Sequence, residues 1–168
     1  MTAQGSDRGA ATTGTVQVER ITTQDVPAIC ALYKRVWDPA PPGLPAEFTK
    51  SWVPTPLEFT SWMEGVTYFA ARRDGRLLGI VGAELRRGSC RLVHLAVDSE
   101  ARRQGIGVAL VTTAVDWAKR SNATSMWVDL LARFSEAAAL MKRLGFAEAG
   151  LLHRHVWGED VRYFERLL

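Results

Sequence analysis

A short glycine-containing loop has the residue types and the spacing of an anion-binding site. It reads Arg102-Arg103-Gln104-Gly105-Ile106-Gly107 and lies between an apolar run, 92–97, and a segment with helical periodicity. The run predicts a strand and the segment predicts a helix with one buried face. The first amides of a helix have no internal partner and lie at the positive end of its dipole. The sequence therefore predicts a phosphate site at the start of this helix.

The spacing of this loop differs from that of the commoner phosphate loops. A P-loop needs Gly-x-x-x-x-Gly-Lys-Ser/Thr, and a dinucleotide fold needs Gly-x-Gly-x-x-Gly with an acidic residue about 20 positions later. Neither pattern is present. A tight turn that uses its glycines for packing alone remains an alternative for these six residues.

Hydrophobic patterning predicts the elements that position the loop. Asp74-Gly75 is a two-residue hairpin signal, Ser135 is expected to cap a helix, and Gly145 is expected to end it. In chain order we predict a strand at 16–21, a helix from 25, short helices and loops at 37–62, strands at 66–73, 76–86 and 91–97, a helix from 107 to 120, a strand at 126–131, a helix at 135–144, and strands at 146–157 and 161–167.

Length and composition favour one soluble domain. The chain has 168 residues, of which 47% are hydrophobic and 23% are charged, which suffices for one full core. We expect 1–14, which carries hardly any apolar side chain, to be a disordered tail and 15–168 to form a single domain. The net charge of +3 comes from scattered arginines, which disfavours a nucleic-acid partner. With no long apolar run and no signal peptide, we expect a cytoplasmic protein without a membrane partner.

The sequence predicts no metal site. Cys30 and Cys90 lie far apart and lack metal-ligand spacing, which fits reduced thiols, although a disulfide stays open. His153 and His155 point to one face of a predicted strand, but a third ligand is missing nearby. We therefore interpret them as surface or cleft-rim histidines.

Leu95-Ala96-Val97 followed by the glycine loop, together with the order of elements, resembles the GNAT family of acyl-CoA-dependent N-acetyltransferases over about residues 16–168. The resemblance implies an α/β (α+β) fold: a mixed, mostly antiparallel sheet of six to seven strands, splayed after the fourth strand, with helices on both faces. It further implies that acetyl-CoA lies in the resulting cleft, without a metal. The implied cofactor-binding residues are Leu95, Ala96, Val97, Arg102, Arg103, Gln104, Gly105, Ile106, Gly107 and Val108.

Within that resemblance, the backbone of 95–97 would hold pantetheine and the acyl carbonyl, and the amides of 103–108 would hold the pyrophosphate. The side chain of Arg102 is either a phosphate partner or a surface charge.

N-acetyl transfer needs a base, because an amine with a pKa near ~10.4 is mostly protonated at neutral pH. Asp129 is the first candidate, since some peptide-acetylating members that resemble this chain have a glutamate at the matching place; a solvent-facing or capping aspartate is the alternative. Glu84, acting through a water, is the second. Other members carry an acidic residue or histidine where this chain has Arg91, and strand alternation predicts that His94 points to the wrong side.

This chain departs from the family pattern at the residue that protonates the leaving thiolate. Many members have an asparagine and a tyrosine where this chain has Phe134 and Met141. Methionine cannot donate a proton. Either another group donates, with Tyr163 as a fallback, or the thiolate leaves unaided, since thiols of this kind have a pKa near ~8.5.

The segment 37–62 is unusual, because it holds six of the seven prolines and five large aromatic residues. In a GNAT-like domain it would cover the acceptor side of the cleft. It predicts either an aromatic-lined amine pocket or aromatic side chains that fill the core under an irregular loop. We favour the core interpretation. The five residues are Trp37, Phe48, Trp52, Phe59 and Trp62.

The expected function is N-acetyl transfer from acetyl-CoA to a primary amine of a small molecule or peptide, by direct attack in a ternary complex. No cysteine lies at a matching catalytic place, so a covalent route is disfavoured. A non-catalytic acyl-CoA sensor or interaction module of the same fold is the alternative, which the missing tyrosine and asparagine support. A homodimer is plausible by resemblance.

Overall fold

The computed structural model describes residues 14–168, so the predicted disordered tail lies outside the described residues except for Gly14. The order of elements predicted from the sequence is confirmed. The strands are β1 Gln17–Arg20, β2 Thr67–Arg73, β3 Arg76–Arg86, β4 Ser89–Val97, β5 Ser125–Leu131, β6 Ala147–Val156 and β7 Glu159–Leu167. The helices are α1 Val26–Trp37, α2 Ala46–Trp52, α3 Pro56–Trp62, α4 Ile106–Arg120 and α5 Ser135–Arg143.

Tight hairpins connect the antiparallel strands. Asp74 (φ 50°) and Gly75 (φ 78°) form the two-residue turn between β2 and β3, as their sequence predicts. Trp157 (φ 50°) and Gly158 (φ 75°) join β6 to β7 in the same way. Two successive positive φ values match the twist of the flanking strands.

The strands form one mixed sheet in the order β1-β2-β3-β4-β5-β7-β6. Every neighbouring pair is antiparallel except β4 and β5, which are parallel. Parallel neighbours need a crossover, and α4 supplies it. This is the mixed, mostly antiparallel fold class that the sequence predicts.

Helices cover both faces of the sheet, which we call the α4 face and the α1 face. On the α4 face, Leu110, Val111 and Ala114 of α4 pack with Met141 of α5 over buried residues of the central strands. On the α1 face, helices α1 and α3 bury a second core, and α2 places Phe48 against Leu131 and Val161. Helix α2 and α3 are the short helices expected within 37–62.

The start of α5 differs from the prediction. The residue before the helix is Phe134, and Ser135 is the first helical residue, so Ser135 makes no capping hydrogen bond. Phe134 instead packs against Trp37 and Phe48, so aromatic packing, rather than a polar cap, fixes this helix start. Among residues 14–168, no helix has the length and apolar character needed to cross a bilayer.

Candidate active site

The glycine loop ends in a left-handed residue at the start of α4. Gly105 has a φ of 80°, and a Cβ built on it would meet nothing within 4 Å. The first helical hydrogen bond runs from the Ala109 N–H to the Gly105 carbonyl at 3.0 Å. The amides of Ile106, Gly107 and Val108 therefore precede the helical hydrogen-bond ladder. Gly105 serves the backbone conformation, with open space beside it that an anion could fill.

Two side chains of the loop, those of Gln104 and Ile106, take part in the fold. Gln104 accepts a hydrogen bond from Arg73 Nη1 (2.7 Å) and donates one to the Glu100 carbonyl (2.9 Å). Ile106 is buried. A Cβ on Gly107 would lie 2.9 Å from Leu140 Cδ2. The packing explanation of the glycines thus holds for Gly107 and fails for Gly105.

The loop is flanked by cationic side chains. Arg102 and Arg103 are exposed, and Arg103 reaches Glu136 at the start of α5 with its Nη2 at 3.3 Å from Oε1. Arg143 of α5 lies on the same cleft wall. An exposed pair of this kind contributes little to stability, so these groups remain available to a polyanion.

A cleft of about 1430 Å³ passes through the sheet. Strands β4 and β5 pair only over Ser89–Arg91 and Ser125–Trp127, and beyond Arg91 they diverge. The α4-side mouth of the cleft carries the glycine loop and α5, and the α1-side mouth carries Trp37, Trp52 and Trp157. Every sequence-predicted cofactor residue except Gln104 lines this cleft.

A β-bulge in β4 reverses the side-chain alternation at the cleft. Ile80 pairs with Ala96 and Gly82 pairs with Val93, so His94 and Leu95 together oppose one residue of β3. His94 has a φ of 55°. The expectation that His94 points to the wrong side is therefore wrong, because a bulge inserts one residue into the period-two pattern.

His94 lies on the α1 face in an aromatic environment. Its Nδ1 is 2.6 Å from Tyr68 Oη, its carbonyl accepts a 2.7 Å hydrogen bond from Tyr33 Oη, and its ring stacks on Trp62 with centroids 4.3 Å apart. Burial, assisted by the charge of Arg91, lowers the pKa of His94 to about 4. The imidazole is therefore neutral at neutral pH.

Asp129 lies on the cleft and is held by an arginine. Its Oδ1 accepts two hydrogen bonds from Arg91, from Nε at 3.0 Å and from Nη2 at 2.7 Å. Oδ2 has no hydrogen-bond partner among the described residues. The Arg91 guanidinium also lies 5.0 Å from the centroid of the Trp127 ring. Asp129 is thus a positioned carboxylate with one free oxygen, rather than a helix cap.

The other two acid/base candidates lie beside the cleft rather than on its wall. Glu84 is the β3 partner of Arg91 and accepts a 2.5 Å hydrogen bond from Arg86. Tyr163 is the β7 partner of Asp129, and its ring centroid lies 6.2 Å from that of Trp127. The structure thus places Glu84 and Tyr163 on the strands that flank the Arg91–Asp129 ion pair.

The departure from the family pattern at α5 is visible in the cleft. Met141 is fully buried and lines the cleft on the α4 side. Phe134 lines it nearby and packs against Trp37, with ring centroids 5.7 Å apart. Neither side chain can donate a proton.

The aromatic segment 37–62 serves both the core and the cleft. Phe48 and Phe59 are fully buried, as the favoured interpretation predicts. Trp37 and Trp52, by contrast, line the α1-side mouth, as the pocket interpretation predicts. Trp62 stacks on His94.

Sequence reasoning missed three groups that the structure brings to this site. The bulge that turns His94 has no pattern in the sequence. Trp157 ends a predicted strand, yet it lies in the β6–β7 turn and packs on Phe48 across the α1-side mouth, with centroids 5.5 Å apart. Arg133 donates to the Pro42 carbonyl at 2.7 Å and pairs with Glu159 at 3.0 Å. Within residues 14–168, no three His, Cys, Asp or Glu side chains cluster as metal ligands would.

Comparison with known proteins adds independent findings. Residues 29–146 match the model of the acetyltransferase (GNAT) family. Human N-acetyltransferase 8 is 34% identical over 103 residues, which cover 58% of this chain and 45% of the human protein. The [ribosomal protein bS18]-alanine N-acetyltransferase of Escherichia coli is 28% identical over 94 residues, which cover 56% of this chain and 64% of that protein. The chain thus spans only about half the length of the curated relatives it matches.

Solved structures share the fold. The crystal structure of the Escherichia coli ribosomal-protein-S18-alanine N-acetyltransferase superposes with a TM-score of 0.74 at 22% identity, covering 91% of this chain and 94% of that chain. A Salmonella typhimurium structure determined with its cofactor acetyl-CoA has a TM-score of 0.76 at 15% identity, covering 91% and 94%.

Proposed function

This chain belongs to the GNAT family of acetyltransferases, and from that premise we propose that it transfers the acetyl group of acetyl-CoA to a primary amine by direct attack in a ternary complex. The observation that carries the proposal is the cleft through the sheet. Its α4-side mouth presents the free amides of the glycine loop, and its α1-side mouth presents Asp129. Two reactants can therefore meet from opposite faces.

The residues of the α4-side mouth fit acetyl-CoA, which supplies the acetyl group in activated form as a thioester. The amides of Ile106, Gly107 and Val108 would hold the pyrophosphate, with Arg102 and Arg103 beside it. Beyond Arg91, the edge of β4 that faces β5 is not paired with it. That edge would hold the pantetheine chain and donate to the thioester oxygen, where negative charge develops.

Asp129 would prepare the amine on the α1 side. Arg91 occupies Oδ1 and fixes the carboxylate, so Oδ2 is free to accept the proton that the amine loses. Met141, on the opposite wall, cannot donate a proton. The thiolate would leave unaided, which its pKa near ~8.5 permits.

The experiment is acetyl-CoA binding by calorimetry, with Gly105→Asp as the test variant and Gly75→Asp as its matched control. Both glycines have a φ near 80° and open space around them, at 80° and 78°, so both substitutions strain the backbone alike. Only the first puts a negative charge where the pyrophosphate would lie. We expect wild type and Gly75→Asp to bind and Gly105→Asp to lose binding; absence of binding by the wild type would refute the proposal.

The acyl-CoA sensor is the second candidate, favoured by the buried Met141 in place of a proton donor. It shares the cofactor site and differs in turnover. A sensor would bind acetyl-CoA yet release no thiol with any amine. Thiol release with an amine, measured after binding is established, separates the two.

A further inference from the structure

The α1-side mouth has a composition that restricts the amine. Besides the polar groups of Arg91, Asp129 and Arg133, its walls are built mainly from tryptophan and proline side chains, which come from the end of α1, the loop after it, α2 and the β6–β7 turn. The tryptophans are Trp37, Trp52 and Trp157, and the prolines are Pro39, Pro41 and Pro42. We propose that the acceptor is a small monoamine with an aromatic or apolar body, an inference that rests on the proposed acetyl transfer.

The charges of the cleft limit the number of ammonium groups that it can take. Asp129 and Glu136 are the carboxylates on its wall within the described residues. Glu136 lies by the glycine loop and pairs with Arg103. Oδ1 of Asp129 is hydrogen-bonded to Arg91, whereas Oδ2 is free. The free oxygen can accept a hydrogen bond from one amine, whereas the further ammonium groups of a polyamine or an aminoglycoside would lie against tryptophan and proline without a carboxylate partner.

Aromatic surface remains open to a ligand here. Trp52 and Trp37 pack against each other, with centroids 5.4 Å apart, and both are only half-buried. Trp157 is 38% exposed on the facing side. Tryptophan faces of this kind gain from contact with a ring or an alkyl chain, and the amine carried by such a body would then point towards Asp129.

Two contacts across the mouth favour a compact acceptor over an extended chain. Trp157 packs on Phe48 of α2. Arg133 joins the carbonyl of Pro42 to Glu159 of β7. Together they connect both walls, so a peptide running across the mouth would have to break them. A short amine would enter beside them.

The test is the rate of thiol release with acetyl-CoA over a panel of amines: phenethylamine, tryptamine and hexylamine against spermidine, kanamycin and a hexapeptide with a free N-terminal alanine. We expect kcat/KM for the first three to exceed that of the others by at least about tenfold. Faster turnover of spermidine, kanamycin or the peptide would overturn the inference and leave acetyl transfer standing. Absence of turnover with every amine would refute acetyl transfer itself.

Substitutions of single tryptophans test whether the α1-side mouth determines the selectivity for the amine. Trp157→Ala removes one exposed wall and is expected to raise KM for phenethylamine by about tenfold, with the KM for acetyl-CoA unchanged. Trp52→Leu, which keeps an apolar side chain in place, should raise the KM for phenethylamine less. Trp117→Ala is the matched control, since Trp117 is a half-buried tryptophan that packs on Phe69 on the α4 face, away from the cleft. Equal losses in Trp157→Ala and Trp117→Ala would overturn the assignment.

Discussion

Asp129 illustrates how much a single side chain depends on its partner. A lone carboxylate on a strand could serve as a solvated charge, but two hydrogen bonds from Arg91 fix one oxygen of this cleft-lining side chain and leave the other free. The ion pair is partly exposed, with 34% and 27% of the two side chains accessible. Its contribution to stability is therefore small, and its main effect is to orient the free oxygen.

If Asp129 is the base, Asp129→Asn should lower kcat/KM by about 10²- to 10⁴-fold, the usual contribution of a positioned base, without weakening acetyl-CoA binding. Asp116→Asn makes the same chemical change at an exposed position of α4 and should leave the rate unchanged. Glu84→Gln decides between the candidates. A larger loss in Glu84→Gln than in Asp129→Asn, measured by thiol release, would transfer the role to Glu84.

His94 predicts a loss of stability in acid. Burial lowers its pKa to about 4 in the folded state, whereas an unfolded chain has a histidine pKa near ~6.5. Below pH ~6.5 the unfolded state therefore binds a proton that the folded state does not. The free energy of unfolding should fall as pH decreases from ~6.5 to about 4, by up to about 3 kcal/mol, and then level off for this group.

Urea unfolding at half-unit pH steps measures this dependence. His94→Gln is the comparison, because glutamine can still hydrogen-bond to Tyr68 but does not titrate. The fall between pH ~6.5 and about 4 should be smaller in this variant. Identical profiles in wild type and His94→Gln would show that carboxylates, and not His94, cause it.

At the scale of elements, the sequence predicted the features that depend on neighbouring residues alone, such as turns and some helix starts. The turn Asp74-Gly75 forms because glycine and aspartate tolerate a positive φ. The glycine loop precedes α4 as its motif predicts. The bulge at His94 was missed because it depends on the pairing of β4 with β3 on one side only, and no residue in 89–97 marks it. The assumption that side chains alternate between the two faces fails at the bulge, so it places His94 on the wrong face.

Helix starts show the same difference between features set by local sequence and features set by tertiary packing. Thr55 and Glu58 form a capping box for α3, with Thr55 N–H bonded to Glu58 Oε2 at 2.7 Å, a signal that sequence can carry. Ser135 is also of a type that caps helices, but it stands one place inside α5, where Phe134 precedes the helix and packs into the aromatic cluster. Tertiary packing shifted this helix start relative to the local preference.

For the whole molecule, the sequence was sufficient for the fold and for placing the glycine loop at one mouth of the cleft, and insufficient for the lining of the α1-side mouth. The order of elements determines that β4 and β5 are parallel neighbours around α4, and the glycine loop then lies at their divergence. The α1-side mouth is assembled from Trp37, Trp52 and Trp157, which come from three separate parts of the chain. Their meeting depends on how 37–62 packs against the β6–β7 turn, which local patterning does not encode.

The placement of both cysteines predicts the kinetic order of the reaction. Cys90 is fully buried in β4, and burial raises its pKa to about 11; burial also raises the pKa of Cys30 in α1. Neither thiol lines the cleft. Because the thiolate is the nucleophilic form, neither cysteine can accept an acetyl group readily, which supports the proposed direct attack of the amine on acetyl-CoA.

Initial rates measured at several concentrations of both substrates should therefore give intersecting double-reciprocal lines. The variant Cys30→Ser/Cys90→Ala should keep its turnover, with urea unfolding as the check that it is folded. Mass spectrometry of the protein incubated with acetyl-CoA alone should show no acetylated cysteine. Parallel lines together with an acetylated thiol would instead establish a covalent route, and would mean that one of these cysteines reaches the cleft in a conformation different from the one described.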